Sequence, residues 1–337
     1  MKIFVTGGTG YLGNQLVTRL SALGNEIHAV CHDPVKRDLL QLPGVSIYDG
    51  DIRDGAFLKR AMQECTQVYH LAAYAQLWAK DKSTYYTVNV EGTRHVLDAA
   101  LEAGIEKMVY TSTAGVLGPS SGIPVRETDQ RIGEILNEYE DSKTIAENLC
   151  MEYTNQKGLP VTIVNPPRIY GPGLINRNNW LTKLIQYYLE GKWKFIPGNG
   201  EGIGSYVYID DIIQGHILAM EKGKPGERYI LSGENVSYNH FFKTLEKISG
   251  IKRNLIKLPL PVMLLAGQMM LLKTRLTGKP PLLTPVWIKK YSLNWALDCE
   301  KAKHDLGYSY ISLEEGLTKT MDWLKEKSNL PSANKMK

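Results

Sequence analysis

Thr6-Gly7-Gly8-Thr9-Gly10-Tyr11-Leu12-Gly13 decides how the rest of this chain is read. It follows a short apolar run at residues 3–6 and leads into an amphipathic stretch at 12–23, so it is a strand-to-helix turn. The three glycines have separate tasks. Gly7 permits a tight turn, Gly10 lets backbone approach a pyrophosphate, and Gly13 lets the helix pack closely on the strand behind it. A helix that starts here presents free N–H groups and the positive end of its dipole to an anion. Tyr11 and Leu12 open that helix beside the phosphates.

The same alternation continues outward from the turn. Strand-like runs at 27–31, 45–48, 68–71, 108–111 and 161–165 are separated by helical periodicity, notably at 56–62 and 88–103. This βαβα order predicts an α/β fold, a doubly wound parallel sheet. Residues 1–165 read as mainly the nucleotide-binding core. Residues 166–327, richer in Pro and Gly, read as mainly a smaller substrate-binding lobe interleaved with it, and 328–337 as a flexible tail. Helices are expected to start near Asp211, Ser237 and Ser312, the last with a Ser312/Glu315 capping box.

Composition sets limits. The 337 residues carry a net charge of +5, read as spread along the chain and too small to indicate a nucleic-acid partner. Cys31, Cys65, Cys150 and Cys299 are scattered, with no metal-ligand spacing, which predicts no metal site and a reducing compartment. Met1 leads straight into an apolar strand, leaving no room for a secretion signal, so a cytoplasmic location is expected. The longest apolar stretch, 261–272, is too short for a transmembrane segment. It is a candidate cover for the substrate, or a peripheral membrane contact with Lys273 and Arg275 at one end.

The cofactor side can be followed further. An acid is usual at the end of the second strand in NAD-selective proteins. This chain has Cys31 and His32 there, with Lys36 and Arg37 close behind, so NADP is expected and NAD is the alternative. Asp51-Ile52 after the third strand suits an adenine edge. Leu71-Ala72-Ala73 after the fourth strand are small where backbone passes the cofactor.

Three Tyr-x-x-x-Lys pairs occur: Tyr139/Lys143, Tyr153/Lys157 and Tyr188/Lys192. Context selects the first, which opens a helix and follows the strand ending in Thr111-Ser112-Thr113. Positions i and i+4 share a helix face, which puts Lys143 beside the Tyr139 phenol. A phenol ordinarily titrates near 10, and a neighbouring ammonium is expected to lower that value. Thr113 then bonds the substrate oxygen while Tyr139 gives or takes the proton.

With these residues placed, the chain resembles the extended short-chain dehydrogenase/reductases. The resemblance runs through TGGTGYLG, GDIRD, HLAAYA, NVEGT, YTSTAGVLG, YEDSK, PPRIYGPG and YVYIDDIIQGH, almost the whole length. It implies a Rossmann sheet with a smaller C-terminal substrate lobe, and a homodimer built on helices near 83–103 and 139–157. The family's Ser/Thr–Tyr–Lys triad falls on Thr113, Tyr139 and Lys143. Asn89 matches an asparagine with a structural or water-relay role, and Pro166 the stretch lining the nicotinamide. The branch it resembles contains dihydroflavonol 4-reductases and 3β-hydroxysteroid dehydrogenases, although His32 stands where the former carry arginine.

That branch implies a carbonyl reductase, or alcohol dehydrogenase, for an apolar or aromatic small molecule. Trp78, Val116, Arg168, Tyr170, Trp180 and Tyr206 are the candidate substrate residues. The alternative is a sugar-nucleotide epimerase or dehydratase. Against it, Ala114-Gly115 replace the dehydratase acid pair, and Gly204-Ser205 stand where epimerases place an arginine for the diphosphate; Arg168 or Arg177 would have to substitute. A non-enzymatic dinucleotide sensor is the third reading, and the intact triad speaks against it.

Overall fold

The computed structural model describes residues 1–175 and 179–328. The six apolar runs become strands β1 (Lys2–Thr6), β2 (Glu26–Cys31), β3 (Val45–Asp49), β4 (Gln67–His70), β5 (Lys107–Thr111) and β6 (Val161–Asn165). All pair in parallel, in the order β6-β5-β4-β1-β2-β3. The central strands are buried on both faces, which is why they read as unbroken apolar runs and not as alternation. Strand order reverses between β1 and β4, and the carboxyl ends at such a switch point form the ligand crevice of an open α/β sheet. The glycine turn and Thr113 both follow strands at that end.

Helices α1 (Tyr11–Ala22), α2 (Gly55–Ala61), α3 (Ser83–Tyr86), α4 (Gly92–Glu102) and α5 (Glu138–Lys157) cover the sheet. The helix expected at 88–103 is longer than its periodicity indicated. α3 runs through a π-helical turn, Thr87–Glu91, directly into α4. A π turn inserts one extra residue and shifts the helix face, which hides the earlier turn from a 3.6-residue pattern.

The second part of the chain re-enters the first. It comprises β7 (Arg168–Tyr170), α6 (Trp180–Leu189), β8 (Phe195–Pro197), β9 (Ile203–Tyr208), α7 (Ile209–Lys222), β10 (Arg228–Ile230), β11 (Glu234–Ser237) and α8 (Tyr238–Ser249). Then follow β12 (Ile256–Leu258), α9 (Leu260–Thr277), α10 (Pro285–Tyr291), α11 (Glu300–Leu306) and α12 (Leu313–Ser328). β10 pairs with β6 and completes a seven-stranded sheet. β9 lies between β7 (parallel) and β11 (antiparallel), and β12 pairs with β8. Ser237 and Ser312 cap α8 and α12 through the amides of His240 and Glu315, at 3.2 and 3.1 Å. Residues 329–337 of the expected tail lie outside the described residues.

The four cysteines are buried and unpaired. Among the described residues no helix is long and apolar enough to cross a membrane, and no cluster of His, Cys, Asp and Glu is arranged to hold a metal.

Candidate active site

The turn after β1 is shaped by contacts that exclude a side chain. Gly7 has φ +77°, and a Cβ there would sit 2.6 Å from the Ala72 nitrogen. A Cβ on Gly13 would lie 2.2 Å from the Gly7 carbonyl oxygen. At Gly10 the nearest protein atom to such a Cβ is that same oxygen, at 3.2 Å, so its outer face is open. No side chain caps α1, which leaves its first amides for an anion and fits a pyrophosphate. The Tyr11 hydroxyl is turned inward and donates to the Gly171 carbonyl at 3.1 Å, so Tyr11, like half-buried Leu12, meets a ligand through its backbone. The glycine turn is thereby tied to the PPRIYGPG segment.

A buried relay fixes the neighbouring strand end. The Ala72 amide donates to Thr6 Oγ1 at 3.2 Å, and Thr6 Oγ1 lies 2.6 Å from His70 Nδ1. His70 Nε2 is 3.0 Å from Thr93 Oγ1, whose hydroxyl donates to the Asn89 carbonyl at 2.6 Å. Only a neutral His70 with its proton on Nε2 satisfies every partner. Burial, helped by the Lys143 charge, pushes its pKa down to about 3. The Asn89 side chain accepts from the Tyr74 amide at 2.7 Å and donates to Ser142 Oγ at 2.9 Å. Leu71, Ala72 and Ala73 are thus held between β1 and the π turn, and Asn89 braces them against α5.

At the expected adenosine end each base already has an acid. Lys36 pairs with Asp33 at 3.3 Å, Arg37 with Asp49, and His32 with Asp51 at 3.3 Å. Asp51 also accepts from Arg53 Nη2 at 2.5 Å, which holds its carboxyl below the usual range. Cys31 is buried, its thiol donating to the Asp33 carbonyl. Ile52 packs on Gly92.

The triad lies at the end of β5. Thr113 Oγ1 accepts from the Gly115 amide at 3.2 Å, and its hydroxyl acts on the Tyr139 phenol to favour the charged form. The Pro166 carbonyl accepts from the Ala114 amide at 2.9 Å. Lys143 departs from the sequence expectation. Its ammonium donates to the Thr111 carbonyl at 2.8 Å and lies 4.1 Å from the centre of the Tyr110 ring. The phenol is therefore not lowered. Burial pushes Tyr139 up to about 12, against the lowering effect of the Thr113 hydroxyl, while burial pushes Lys143 down to about 8. The rival pairs are structural: Tyr153 donates to Asp98 at 2.6 Å and Tyr188 to the Ile251 carbonyl at 2.8 Å.

Sequence reasoning missed the acids around this triad. Glu147, 1% exposed, accepts from Asn165 Nδ2 at 2.7 Å and pairs with Arg228 at 3.0 Å. Asn165 Nδ2 also reaches the Thr113 carbonyl at 3.2 Å. Glu140, fully buried, pairs with Arg131 at 3.2 Å and Lys290 at 2.5 Å. Arg131 donates to the carbonyls of Gly115 and Val116 as well. The signal available was charge at i, i+3 and i+7 on a helix already suspected of catalysis.

The substrate candidates separate. Tyr170 is buried with its hydroxyl end against Gly316 of α12, Tyr206 stacks on Phe241 at 4.9 Å, and Val116 is buried. These three belong to the core. Trp180 is half-buried and meets Trp193 edge-on at 5.7 Å, while Trp78 is half-buried. Arg168 donates to the Tyr206 hydroxyl at 3.0 Å and lies among the rings of Tyr206, Tyr238 and Tyr291, each within 5.3–5.5 Å. A Cβ on Gly204 would come within 2.1 Å of its guanidinium. The Arg168 guanidinium, from the neighbouring strand, thus lies against Gly204. Arg177 lies outside the described residues.

Comparison with known proteins identifies the family. Residues 3–232, more than half of the chain, match the model of the NAD dependent epimerase/dehydratase family. A putative dihydroflavonol 4-reductase of Synechocystis sp. is 31% identical, over 95% of this chain and 93% of its own. Sterol demethylase protein B of Methylococcus capsulatus is 30% identical, over 97% and 99%. Among solved structures, UDP-glucuronic acid 4-epimerase from Bacillus cereus, in complex with UDP-glucuronic acid and NAD, superposes with a TM-score of 0.77 at 29% identity. The match covers 97% of this chain and 100% of the epimerase chain. The chain belongs to the NAD dependent epimerase/dehydratase family, the extended short-chain dehydrogenase/reductases, as an NAD(P)-dependent oxidoreductase.

Proposed function

We propose that this oxidoreductase reduces the carbonyl of an apolar or aromatic small molecule, or oxidises the corresponding alcohol, with Tyr139 as the proton donor. The observation that carries this is the placing of the Tyr139 phenol beside the Thr113 hydroxyl at the end of β5, where burial pushes the phenol up to about 12. A phenol so placed is an acid throughout the working range and delivers its proton to a developing alkoxide. When bound, the dinucleotide supplies or accepts the hydride. The glycine turn holds its phosphates, Thr113 orients the reacting oxygen, and Lys143 supplies positive charge one helical turn from the phenol. Cys31 leaves no carboxylate against a 2′-phosphate, but Lys36, Arg37 and His32 each face an acid. NADP and NAD are therefore both used, with NADP preferred by no more than about tenfold. The active form is a homodimer on residues 83–103 and 139–157, a state that sedimentation equilibrium checks.

Arg168 favours a second reading. A guanidinium with no carboxylate partner among the described residues suits a diphosphate, and hence a sugar nucleotide. A screen of cofactor turnover against apolar ketones, with calorimetry on UDP, UDP-glucose and dTDP-glucose, separates the two. Ketone turnover without nucleotide binding supports the reductase; micromolar binding of any of the three nucleotides transfers the assignment to the second reading.

A further inference from the structure

The net charge is not spread along the chain. Between residues 251 and 297 there are eight Lys or Arg and no Asp or Glu, so the remainder of the chain is net negative. This segment holds β12, α9 and α10. Only two of its cations are turned inward: Arg253 donates to the carbonyls of Tyr188 and Leu189, and Lys290 pairs with Glu140. Lys257, Lys273, Arg275 and Lys279 are exposed at the two ends of α9.

Between those cations α9 is built inside out. Its only buried residues are Gly267 and Thr274, and Gly267 rests on Ile288 and Pro285 of α10. On the other side Val262, Leu265, Met269, Leu272 and Leu276 are all exposed, Leu276 by 80%. Their spacing of three and four residues makes one continuous stripe. Phe195 and Ile256, cross-strand partners in the β8–β12 pair just before the helix, extend it and are exposed too. An apolar surface of this kind on a soluble domain marks a contact site.

We propose that α9 lies in the headgroup layer of an anionic membrane, its leucine stripe at the acyl boundary and the flanking cations on the lipid phosphates. Charge decides between the candidate occupants. A second copy would meet this face through a two-fold axis, bringing like charge against like charge with no acid on either side. A nucleic acid would answer the cations and leave the five apolar side chains without a partner. An anionic bilayer answers both.

The face also adjoins the site. α10, on which α9 rests, carries Lys290, whose ammonium meets Glu140 beside Tyr139. A substrate held in the bilayer would enter beneath this arm; that part rests on the apolar-carbonyl reading, while the membrane contact does not.

The test is flotation of the full chain with phosphatidylcholine vesicles, with and without 30 mol% phosphatidylglycerol. Binding to the anionic vesicles at least tenfold tighter than to the neutral ones, weakened in high salt, is expected. Leu265→Glu/Leu272→Glu should lose at least tenfold of that binding, and Lys273→Glu/Arg275→Glu should lose the lipid preference. Both variants should keep wild-type turnover of a water-soluble ketone. No binding of the wild-type chain to anionic vesicles overturns the proposal. So does a dimer abolished by Leu265→Glu/Leu272→Glu with vesicle binding unchanged, since the stripe would then face a second copy. Vesicle binding without turnover of any apolar ketone leaves the contact standing and removes the substrate reading instead.

Discussion

Two long helices break the usual rule of burial in opposite directions. On α5 the residues at 140, 143 and 147 face inward as Glu, Lys and Glu, none more than 1% exposed. On α9 the residues at 262, 265, 269, 272 and 276 face outward as Val, Leu, Met, Leu and Leu, and Leu265 is 59% exposed. Charge inside is tolerated where each group has a partner and the site uses the field. Glu147 has Asn165 and Arg228, Glu140 has Arg131 and Lys290, and Lys143 has the Thr111 carbonyl. Apolar surface outside has no such partner among the described residues, and the membrane contact proposed above would supply one. One helix sacrifices stability for chemistry; the other leaves hydrophobic burial to be completed by contact.

The sharpest way to separate the helices is to remove the inner charge. Lys143→Met should lower turnover at least a hundredfold and yet stabilise the fold. The sign follows from the direction of the shift. The folded pKa, about 8, lies below the ordinary Lys value, so the folded chain binds the proton less well than the unfolded chain. Burying Lys143 therefore costs stability in full below pH 8, and the cost fades toward pH 10.5. Denaturant unfolding at pH 7 should show Lys143→Met more stable by about 2 kcal/mol, the gap closing by about pH 10. A variant equally destabilised at both pH values would mean that Lys143 is held by packing alone.

Truncating a leucine on each helix comes next. Leu149→Ala, on the buried face of α5, should cost about 2–5 kcal/mol, whereas Leu265→Ser should change stability by less than about 0.5 kcal/mol. Thermal melts decide it, and a large loss at Leu265 would place the stripe against protein. Smaller again is Glu147→Leu. With its acceptor gone, Asn165 no longer anchors the Thr113 carbonyl, and kcat should fall about tenfold with the cofactor KM unchanged. Of the same size is Cys31→Asp, which should shift preference toward NADH by about tenfold through repulsion of the 2′-phosphate; competitive titration of the two cofactors measures it.

The sheet and the glycine turn were legible in sequence because their causes are local. A positive φ at Gly7 and the approach of Gly13 to the Gly7 carbonyl admit only glycine, and a strand buried on both faces is mostly apolar. Glu140 and Glu147 were not legible, because their partners come from residues 131, 165, 228 and 290, and a helix polar on every side reads as surface. The setting of Lys143 was missed for a related reason. Helical spacing puts it near Tyr139, but its ammonium donates to the Thr111 carbonyl, on another element. The basic segment at 251–297 was visible all along and vanished in the average over the chain. Composition likewise named the leucines of α9 without saying which way they face.

The central claim is that Tyr139 is the proton donor, and Tyr139→Phe tests it most directly. The substitution removes one hydroxyl and keeps the ring. Steady-state reduction of a ketone identified in the screen should fall by about a thousandfold, while NADPH affinity, measured by fluorescence titration, stays within about twofold of wild type. Turnover within about tenfold of wild type, with the cofactor bound normally, would contradict the account.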